Sequence, residues 1–168
     1  MKYRYIVVEG PIGCGKSTLA RKVAERYGAD LLLEDAIANP FLSRFYQDMK
    51  RHALATQMFF LFQRANQLSV MRQPDLFDRK TVADYMLAKD RIFARLTLDD
   101  NEYALYAQLH DHLKPQAPVP DLVIYLQTSV AQLQTRIQRR GRPMEQGISE
   151  EYLLKLSESY TRYFYDYN

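Results

Sequence analysis

Residues 10–17 read GPIGCGKS, a glycine-rich loop that ends in a lysine and a serine. The spacing fits GxxxxGKS, in which the glycines let successive backbone N–H groups turn toward phosphate oxygens. Lys16 adds a positive charge near the β and γ phosphates, and the Ser17 hydroxyl is a ligand for Mg²⁺. The sequence therefore predicts a nucleoside triphosphate site with Mg²⁺ at this loop.

The predicted contacts to the triphosphate come from the loop and the start of the following helix. Cys14 occupies a position that the motif leaves free, so we expect it to be a small filler within the loop. The loop residues assigned to this site are Gly10, Gly13, Cys14, Gly15, Lys16, Ser17 and Thr18.

Two carboxylates follow short apolar runs. Glu34 comes after the run at 29–33, and Asp84 comes after residues 81–83. In an α/β protein, ligands collect outside the carboxyl ends of the strands, so both side chains are well placed for chemistry. Asp84 is expected to be the acidic partner of Mg²⁺ at the loop.

Arginines cluster once in the chain, within the stretch RIQRRGRPMEQG that begins at Arg136. Arg136 and Arg140 share one helix face, and Arg142 continues beyond the helix. Arginines at a helix carboxyl end also complement the helix dipole. Their continuation past Gly141 favours a lid that folds over a triphosphate and stabilises charge on the transferring phosphoryl group.

A long apolar helix is predicted over residues 54–73, with leucine, methionine and alanine recurring at steps of three and four. Gln57 and Arg64 are seven positions apart and share one face. Periodicity alone leaves two interpretations open, a solvated side of the helix or a pair of binding residues.

The whole chain alternates strand-like and helix-like segments. The strand-like runs are 6–8, 29–33, 81–83 and 121–126. Five helices are expected at 19–27, 41–49, 54–73, 89–95 and 99–113, and Pro74 ends the third of them. A sixth is expected from a cap at Thr128 or Ser129 to Gly141, and a seventh from Ser149 onward. This alternation predicts an α/β fold, a parallel sheet with helices on both faces.

Composition narrows the function classes. At 168 residues and 47% hydrophobic, the chain is predicted to be a single domain spanning 1–168, with its lid at about 136–148. A formal charge of +3 is too mild to indicate nucleic-acid binding, and no apolar stretch approaches the length of a membrane span. The single cysteine and the lack of a signal peptide favour a reducing cytoplasm. The three histidines, expected at solvated helix positions, suggest no zinc site.

The residues that follow Arg136, RIQRRGRPMEQGISEEYLLKL, resemble the lid and lid helix of the deoxynucleoside kinases, the deoxycytidine, deoxyguanosine and deoxyadenosine kinase group in its bacterial form. The phosphate loop, the NPFL stretch after Glu34, the run TQMFFLFQR from Thr56 and the run KDRIF from Lys89 fall in the family's order. The resemblance covers about residues 5–157. It implies a P-loop kinase fold with ATP as phosphate donor and a homodimer packed through the long helix and its neighbour. The family usually continues from the lid helix into a fifth strand, whereas this sequence stops at YFYDYN, so that strand is expected to be missing.

The resemblance also implies residue roles. Glu34 matches the catalytic base that takes the proton from the nucleoside 5′-hydroxyl, with Lys16 and Arg140 as catalytic cations. Tyr46 and Glu145 match the residues that bind the 3′-hydroxyl. Gln57, Arg64 and Asp90 match the residues that contact the edge of the base, and Arg136, Arg140 and Arg142 match the lid arginines that hold the phosphates. Phe60 is either a wall against which the base stacks or an ordinary core residue.

One departure concerns the third strand. The family has an acidic residue, then arginine, then serine, whereas this chain has Asp84, Tyr85 and Met86. The missing arginine is expected to brace the 5′-hydroxyl and the incoming phosphoryl group. Either Lys89 or a lid arginine takes its place, or turnover is slow.

In family members with the Arg64 and Asp90 pair, the preferred substrates carry adenine, guanine or cytosine, and thymine is disfavoured. We therefore expect deoxyadenosine or deoxyguanosine as acceptor, with deoxycytidine as a further candidate. Two alternatives are a nucleoside monophosphate kinase of the thymidylate type and a nucleotide-binding regulatory module without catalysis. The first would need extra cations on the acceptor side, for which the chain offers Arg44, Lys50 and Arg51.

Overall fold

Four strands form one parallel sheet in the computed structural model, which describes residues 2–70, 80–113 and 117–167. The strands are β1 (Tyr5–Glu9), β2 (Asp30–Leu32), β3 (Thr81–Ala83) and β4 (Leu122–Tyr125), in the spatial order β2-β3-β1-β4. Val7 of β1 pairs with Ala83 on one side and with Val123 on the other. The predicted α/β fold with a parallel sheet is confirmed, and the fifth strand implied by the resemblance is not among the described residues.

Seven helices surround this sheet in the described ranges. They are α1 (Lys16–Tyr27), α2 (Leu42–Gln47), α3 (Met49–Val70), α4 (Asp90–Thr97), α5 (Asp100–Leu113), α6 (Val130–Arg140) and α7 (Glu150–Tyr165). Two 3-10 turns, Leu87–Lys89 and Pro143–Glu145, precede α4 and α7.

Both faces of the sheet are covered, as the alternation along β1 shows. Ile6 and Val8 pack with Ala20 and Ala24 of α1, whereas Val7 lies in the core cluster that α3, α4 and α5 complete. Because successive side chains of a strand point to opposite faces, a strand that is buried on both sides is mostly apolar. All five residues of β1 are buried, including the charged Glu9 at its end.

Ser129 and Ser149 begin the two helices that flank the lid. The Ser129 hydroxyl accepts a hydrogen bond from the Gln132 backbone N–H at 3.4 Å, and the Ser149 hydroxyl accepts one from Tyr152 at 3.1 Å. Each hydroxyl satisfies one backbone donor that the first helical turn leaves free. Of the two predicted caps of α6, Ser129 is therefore the one used.

Two predictions about the helices were wrong, one about a boundary and one about burial. The long helix begins at Met49 rather than residue 54, because only Asp48 separates it from α2. The expected end of that helix at Pro74 lies outside the described residues. His110 is buried at 1% exposure rather than solvated, because α5 packs over the turn that precedes α4 and the imidazole Nε2 lies 3.4 Å from the Leu87 carbonyl oxygen.

The described residues contain no helix that combines the length and the apolar character needed to cross a membrane. The functional side chains lie instead at the carboxyl edge of the sheet. Since all four strands are parallel, their carboxyl ends meet there, and Glu9, Glu34 and Asp84 follow or end three of them.

Candidate active site

Two cavities open at the carboxyl edge of the sheet. The larger, here called the loop cleft, has a volume of about 700 Å³ and lies between the glycine loop with the start of α1 and the lid arginines. The smaller, here called the inner cavity, has a volume of about 110 Å³ and lies below α2, α3 and the lid. Five residues line both of them: Gly13, Lys16, Ser17, Arg140 and Arg142.

The glycine loop owes its path to positions where a side chain does not fit. At Gly10, φ is +150°, and a Cβ atom would lie 2.5 Å from the Leu126 carbonyl oxygen and 2.7 Å from Cys14 Sγ. The loop then enters α1 at Lys16, whose first turn has free backbone N–H groups. A helix amino terminus of this kind attracts phosphate through both its N–H groups and its dipole.

The loop cleft is strongly cationic. Lys16 Nζ donates to the carbonyl oxygens of Gly10 at 2.8 Å and Pro11 at 3.1 Å, so it arches over the loop. Arg136 Nη1 donates to the Cys14 carbonyl at 2.9 Å and ties the lid helix to the loop. The residues described as lining the cleft include six cations and no acid, the cations being Lys16, Lys22, Arg136, Arg139, Arg140 and Arg142. The positive charge of this cleft suits a polyanion.

Cys14 packs as the sequence suggested. It is buried against Leu133, Ile137 and Leu153, which places the loop against the two helices that carry the lid. Lys22 and Arg139 were not predicted. Both lie one turn from a predicted residue, Thr18 or Arg136, so helical spacing alone could have indicated them.

Asp84 connects the two cavities. Its Oδ2 accepts a hydrogen bond of 2.5 Å from the Ser17 hydroxyl, and its Oδ1 accepts one of 2.8 Å from the Glu34 backbone N–H. A hydroxyl and a carboxylate in contact are hard oxygen ligands that suit Mg²⁺, which takes few protein ligands and completes its shell with phosphate and water. The described residues hold no cluster of three or more His, Cys, Asp or Glu side chains that would indicate another metal.

Glu34 is held from two sides in the inner cavity. Its Oε1 accepts hydrogen bonds from Arg64 Nε at 2.7 Å and from Arg64 Nη2, and its Oε2 accepts one from Lys89 Nζ at 3.1 Å. Burial raises the pKa of this carboxyl, but the charges and hydrogen bonds of Arg64 and Lys89 outweigh burial and hold the pKa well below its usual range. Glu34 is therefore an anion with a fixed orientation.

Arg64 is the centre of the buried charge network. Its side chain is 4% exposed, its Nη1 donates to Asp90 Oδ1, and its guanidinium lies 4.6 Å from the centre of the Phe60 ring. Asp90 is fully buried and does not line the inner cavity, and no hydrogen bond to its Oδ2 is found among the described residues. Burial raises the pKa of Asp90 to about 7, although Arg64 and Lys89 oppose the rise.

The face shared by Gln57 and Arg64 is buried rather than solvated. Both residues are buried and line the inner cavity, and Gln57 Nε2 donates to the Thr97 hydroxyl at 3.4 Å. Asp90 lies behind Arg64, so its structural contact is with the arginine, and the predicted contact of Asp90 with a base stays a prediction.

Aromatic side chains form most of the apolar wall of the inner cavity. They are Phe45, Tyr46, Phe60, Phe93 and Tyr152. Phe60 is both a wall of the cavity and, at 8% exposure, part of a core cluster, so the two interpretations left open for it describe the same position.

Glu145 closes the cavity from the lid. It is 4% exposed, and its carboxylate accepts hydrogen bonds from Arg140 Nε at 2.9 Å and Arg142 Nη1 at 3.3 Å. Burial and the neighbouring Tyr152 and Glu145 raise the pKa of Tyr46, so its hydroxyl stays protonated beside this carboxylate. The structure thus brings the two residues matched to a sugar hydroxyl to one side of the cavity.

Glu9 was missed by the sequence prediction. It is fully buried, and it accepts hydrogen bonds from the backbone N–H groups of Gly10 at 3.1 Å and Met86 at 2.8 Å and from the Tyr160 hydroxyl at 3.3 Å. Burial raises its pKa against the opposing charges of Lys89 and Lys16. Glu9 also ends an apolar strand, so the rule that indicated Glu34 would have found it.

A family model described as "Deoxynucleoside kinase" matches residues 6–168. Deoxyguanosine kinase of Bacillus subtilis (strain 168) is 36% identical over 159 residues, which span 93% of this chain and 76% of that protein. Deoxyadenosine/deoxycytidine kinase of the same organism is 34% identical over 172 residues, covering 96% of this chain and 76% of that protein. The solved structure of deoxyadenosine kinase from M. mycoides, with the products dCMP and a flexible dCDP bound, superposes with a TM-score of 0.86 at 27% identity, over 96% of this chain and 83% of that one.

Proposed function

The chain belongs to the deoxynucleoside kinase family, and we propose that it transfers the γ-phosphoryl group of ATP to the 5′-hydroxyl of deoxyadenosine or deoxyguanosine, with deoxycytidine as a further acceptor. The observation that carries this proposal is the meeting of the two cavities. The loop cleft suits a triphosphate, the inner cavity holds an oriented carboxylate, and Lys16, Arg140 and Arg142 line the junction between them.

In this arrangement Glu34 is the general base. Its ionised carboxylate lines the inner cavity and can accept the proton of a 5′-hydroxyl as the oxygen attacks phosphorus. Lys16 and Arg140 stabilise the charge that spreads over the transferring phosphoryl oxygens. Ser17 and Asp84 would hold Mg²⁺, which neutralises charge on the β and γ phosphates when it is bound.

A Glu34→Gln variant tests the base. We expect kcat to fall at least about 10²-fold, since general-base catalysis contributes that much, while the KM for ATP changes little. Glu25→Gln, an exposed position on α1, is the matched control. A loss smaller than about tenfold in a folded Glu34→Gln protein would remove Glu34 from the reaction.

The base preference rests on Arg64 and Gln57, which present buried polar groups to the inner cavity. A base that leaves such groups unpaired can be rejected by roughly 10⁴ to 10⁵. Phosphorylation rates for the four deoxynucleosides test this preference, and thymidine as the best acceptor would contradict it.

The monophosphate kinase alternative is less well supported. Arg44, Lys50 and Arg51, the cations available for an acceptor phosphate, are exposed and do not line the inner cavity. Rates with dAMP beside deoxyadenosine separate the two activities. ATP consumption that depends on added deoxynucleoside would exclude the regulatory module.

We also propose that the chain works as a cytoplasmic homodimer packed through α3 and α5. Phe62 of α3 and Leu105 of α5 are large apolar side chains with 45% and 51% exposure. The buried free Cys14 within the phosphate loop suits a reducing compartment. Light scattering on the wild type and on a Phe62→Asp/Leu105→Asp variant tests the dimer, which the double substitution should dissociate.

A further inference from the structure

The position where the family places an arginine carries no charge in this chain. Tyr85 is fully buried, and its hydroxyl donates to Gln67 Oε1 at 2.6 Å. The centre of its ring lies 5.7 Å from Lys89 Nζ and 6.0 Å from the Arg64 guanidinium carbon. The Tyr85 ring therefore interacts with two neighbouring cations but carries no positive charge itself.

Lys89 supplies a charge from four residues further along. Its side chain is 2% exposed, its Nζ is 3.1 Å from Glu34 Oε2, and it lines neither the loop cleft nor the inner cavity. A side chain behind Glu34 can fix the carboxylate but cannot reach a phosphoryl group on the far side of it.

The lid arginines occupy the complementary position. Arg140 and Arg142 line both cavities, and each side chain is about a third exposed, 37% and 35%. They face the junction where the phosphoryl group must pass, and neither contacts Glu34 among the hydrogen bonds of the described residues.

We propose that Lys89 is a positioning residue, which orients the Glu34 carboxylate from the side away from the two cavities while the lid arginines face the phosphoryl group. This inference rests on the proposed function, because it assigns Lys89 a role only through a catalytic Glu34. Arg64 holds Oε1 and Lys89 holds Oε2, so the carboxylate cannot rotate while both partners are present. Removing Lys89 frees one oxygen and lets the base leave the line of attack.

The test is a double-mutant cycle on the full chain with Lys89→Met and Glu34→Gln. We expect Lys89→Met to lower kcat roughly 10²-fold, the cost of misplacing a reacting group by about 1 Å, with the KM for ATP within about twofold of the wild type. In the Glu34→Gln background the same substitution should cost less than about twofold, because the group that Lys89 orients no longer acts as a base. Lys89→Arg should recover most of the loss, and Lys155→Met, an exposed lysine on α7, should have no effect.

Three outcomes overturn the inference: an equal cost of Lys89→Met in both backgrounds, a raised KM for ATP with unchanged kcat, or no recovery in Lys89→Arg. If the methionine variant does not fold, Lys89→Gln replaces it in the cycle, because its neutral and shorter side chain removes the charged hydrogen bond to Glu34 while leaving a polar group in the buried site. A wild type without deoxynucleoside kinase activity, or an unaffected Glu34→Gln variant, would instead sink the proposed function. The two failures are therefore distinguishable.

Discussion

The loop cleft and the inner cavity handle charge in opposite ways. In the loop cleft, six cations face a space of about 700 Å³, and the lid arginines among them are partly exposed. In the inner cavity, of about 110 Å³, the Arg64 and Glu34 charges are paired with each other and further supported by Asp90 and Lys89.

This difference shows how each half gains its specificity. Cations that face water can rearrange around a flexible polyanion, and the N–H groups of the loop need only backbone geometry. A small acceptor that carries one reacting hydroxyl needs groups held in one orientation before it binds, and buried pairing provides that orientation. Substitutions on the two sides should therefore differ in what they damage.

The largest effect is expected on the inner side, from Arg64→Met. The variant leaves the buried Asp90 and the partly buried Glu34 without their main partner, so we expect a loss of about 3–5 kcal/mol in the free energy of unfolding together with loss of activity. Arg136→Met on the loop side is the matched control, because that arginine is exposed and its removal should change stability by less than about 1 kcal/mol. Urea denaturation of both variants makes the comparison, and equal losses would break it.

The next effect is catalytic and belongs to the loop side. Lys16→Met should lower kcat/KM for ATP by about 10² to 10³, since it removes the cation proposed to stabilise developing charge, with little change in the midpoint of thermal unfolding. Lys22→Met, which removes a charge further along α1, should cost less than about tenfold. Steady-state rates at saturating deoxynucleoside measure both, and a larger loss for Lys22 would reverse their assigned order.

A smaller effect, on the free energy of unfolding, is expected from adding a side chain at Gly10 of the loop. Gly10→Ala places a Cβ atom 2.5 Å from a carbonyl oxygen, whereas Gly141→Ala, at φ +67°, meets no atom within 4 Å. Both variants acquire an unfavourable backbone conformation, but the φ of +150° at Gly10 is the less accessible of the two to alanine, and only there does the added Cβ meet other atoms. We expect Gly10→Ala to be about 1–3 kcal/mol the less stable of the two, and equal stabilities would show that the loop can shift.

The smallest effect is a pH dependence of stability. Burial and the charge of Arg91 lower the pKa of His110, which lies under the turn that carries Lys89. Because the unfolded chain then binds more protons as the pH falls through about 6.5, the folded state should lose stability below that value. His110→Gln should reduce the loss between pH 7.5 and 5.5, measured by thermal unfolding, and His112→Gln, an exposed neighbour, should not. Identical pH slopes for all three proteins would contradict this.

The contrast between the two cavities also explains which residues of the site could be predicted from the sequence. The glycine loop is contiguous and its chemistry follows from local geometry, so its residues and the order strand, loop, helix could be inferred from GPIGCGKS alone. Glu34 and Asp84 could be inferred because strand ends of a parallel sheet meet at one edge. Glu9 obeys the same rule and was nevertheless not predicted.

The buried pairings could not be inferred from the sequence. Whether Arg64 faces solvent or Glu34 depends on how α3 packs over the sheet, and helical periodicity is the same in both cases. The place of Lys89 behind Glu34 depends on the 3-10 turn Leu87–Lys89, which was not predicted, since the expected helix began only at Lys89. His110 was misjudged for a related reason, since an amphipathic pattern does not reveal which polar residue a neighbouring turn will cover.

The two contacts of Asp84 affect how acceptor preference can change during evolution. One carboxylate contacts the Ser17 hydroxyl through Oδ2 and the Glu34 backbone through Oδ1, so the spacing between the two halves is set by three atoms of a single side chain. Changes at Tyr46, Gln57 or Phe60 alter the wall of the inner cavity without touching that spacer. Acceptor preference can therefore drift during evolution while the alignment of the reacting oxygen with the donor is inherited unchanged.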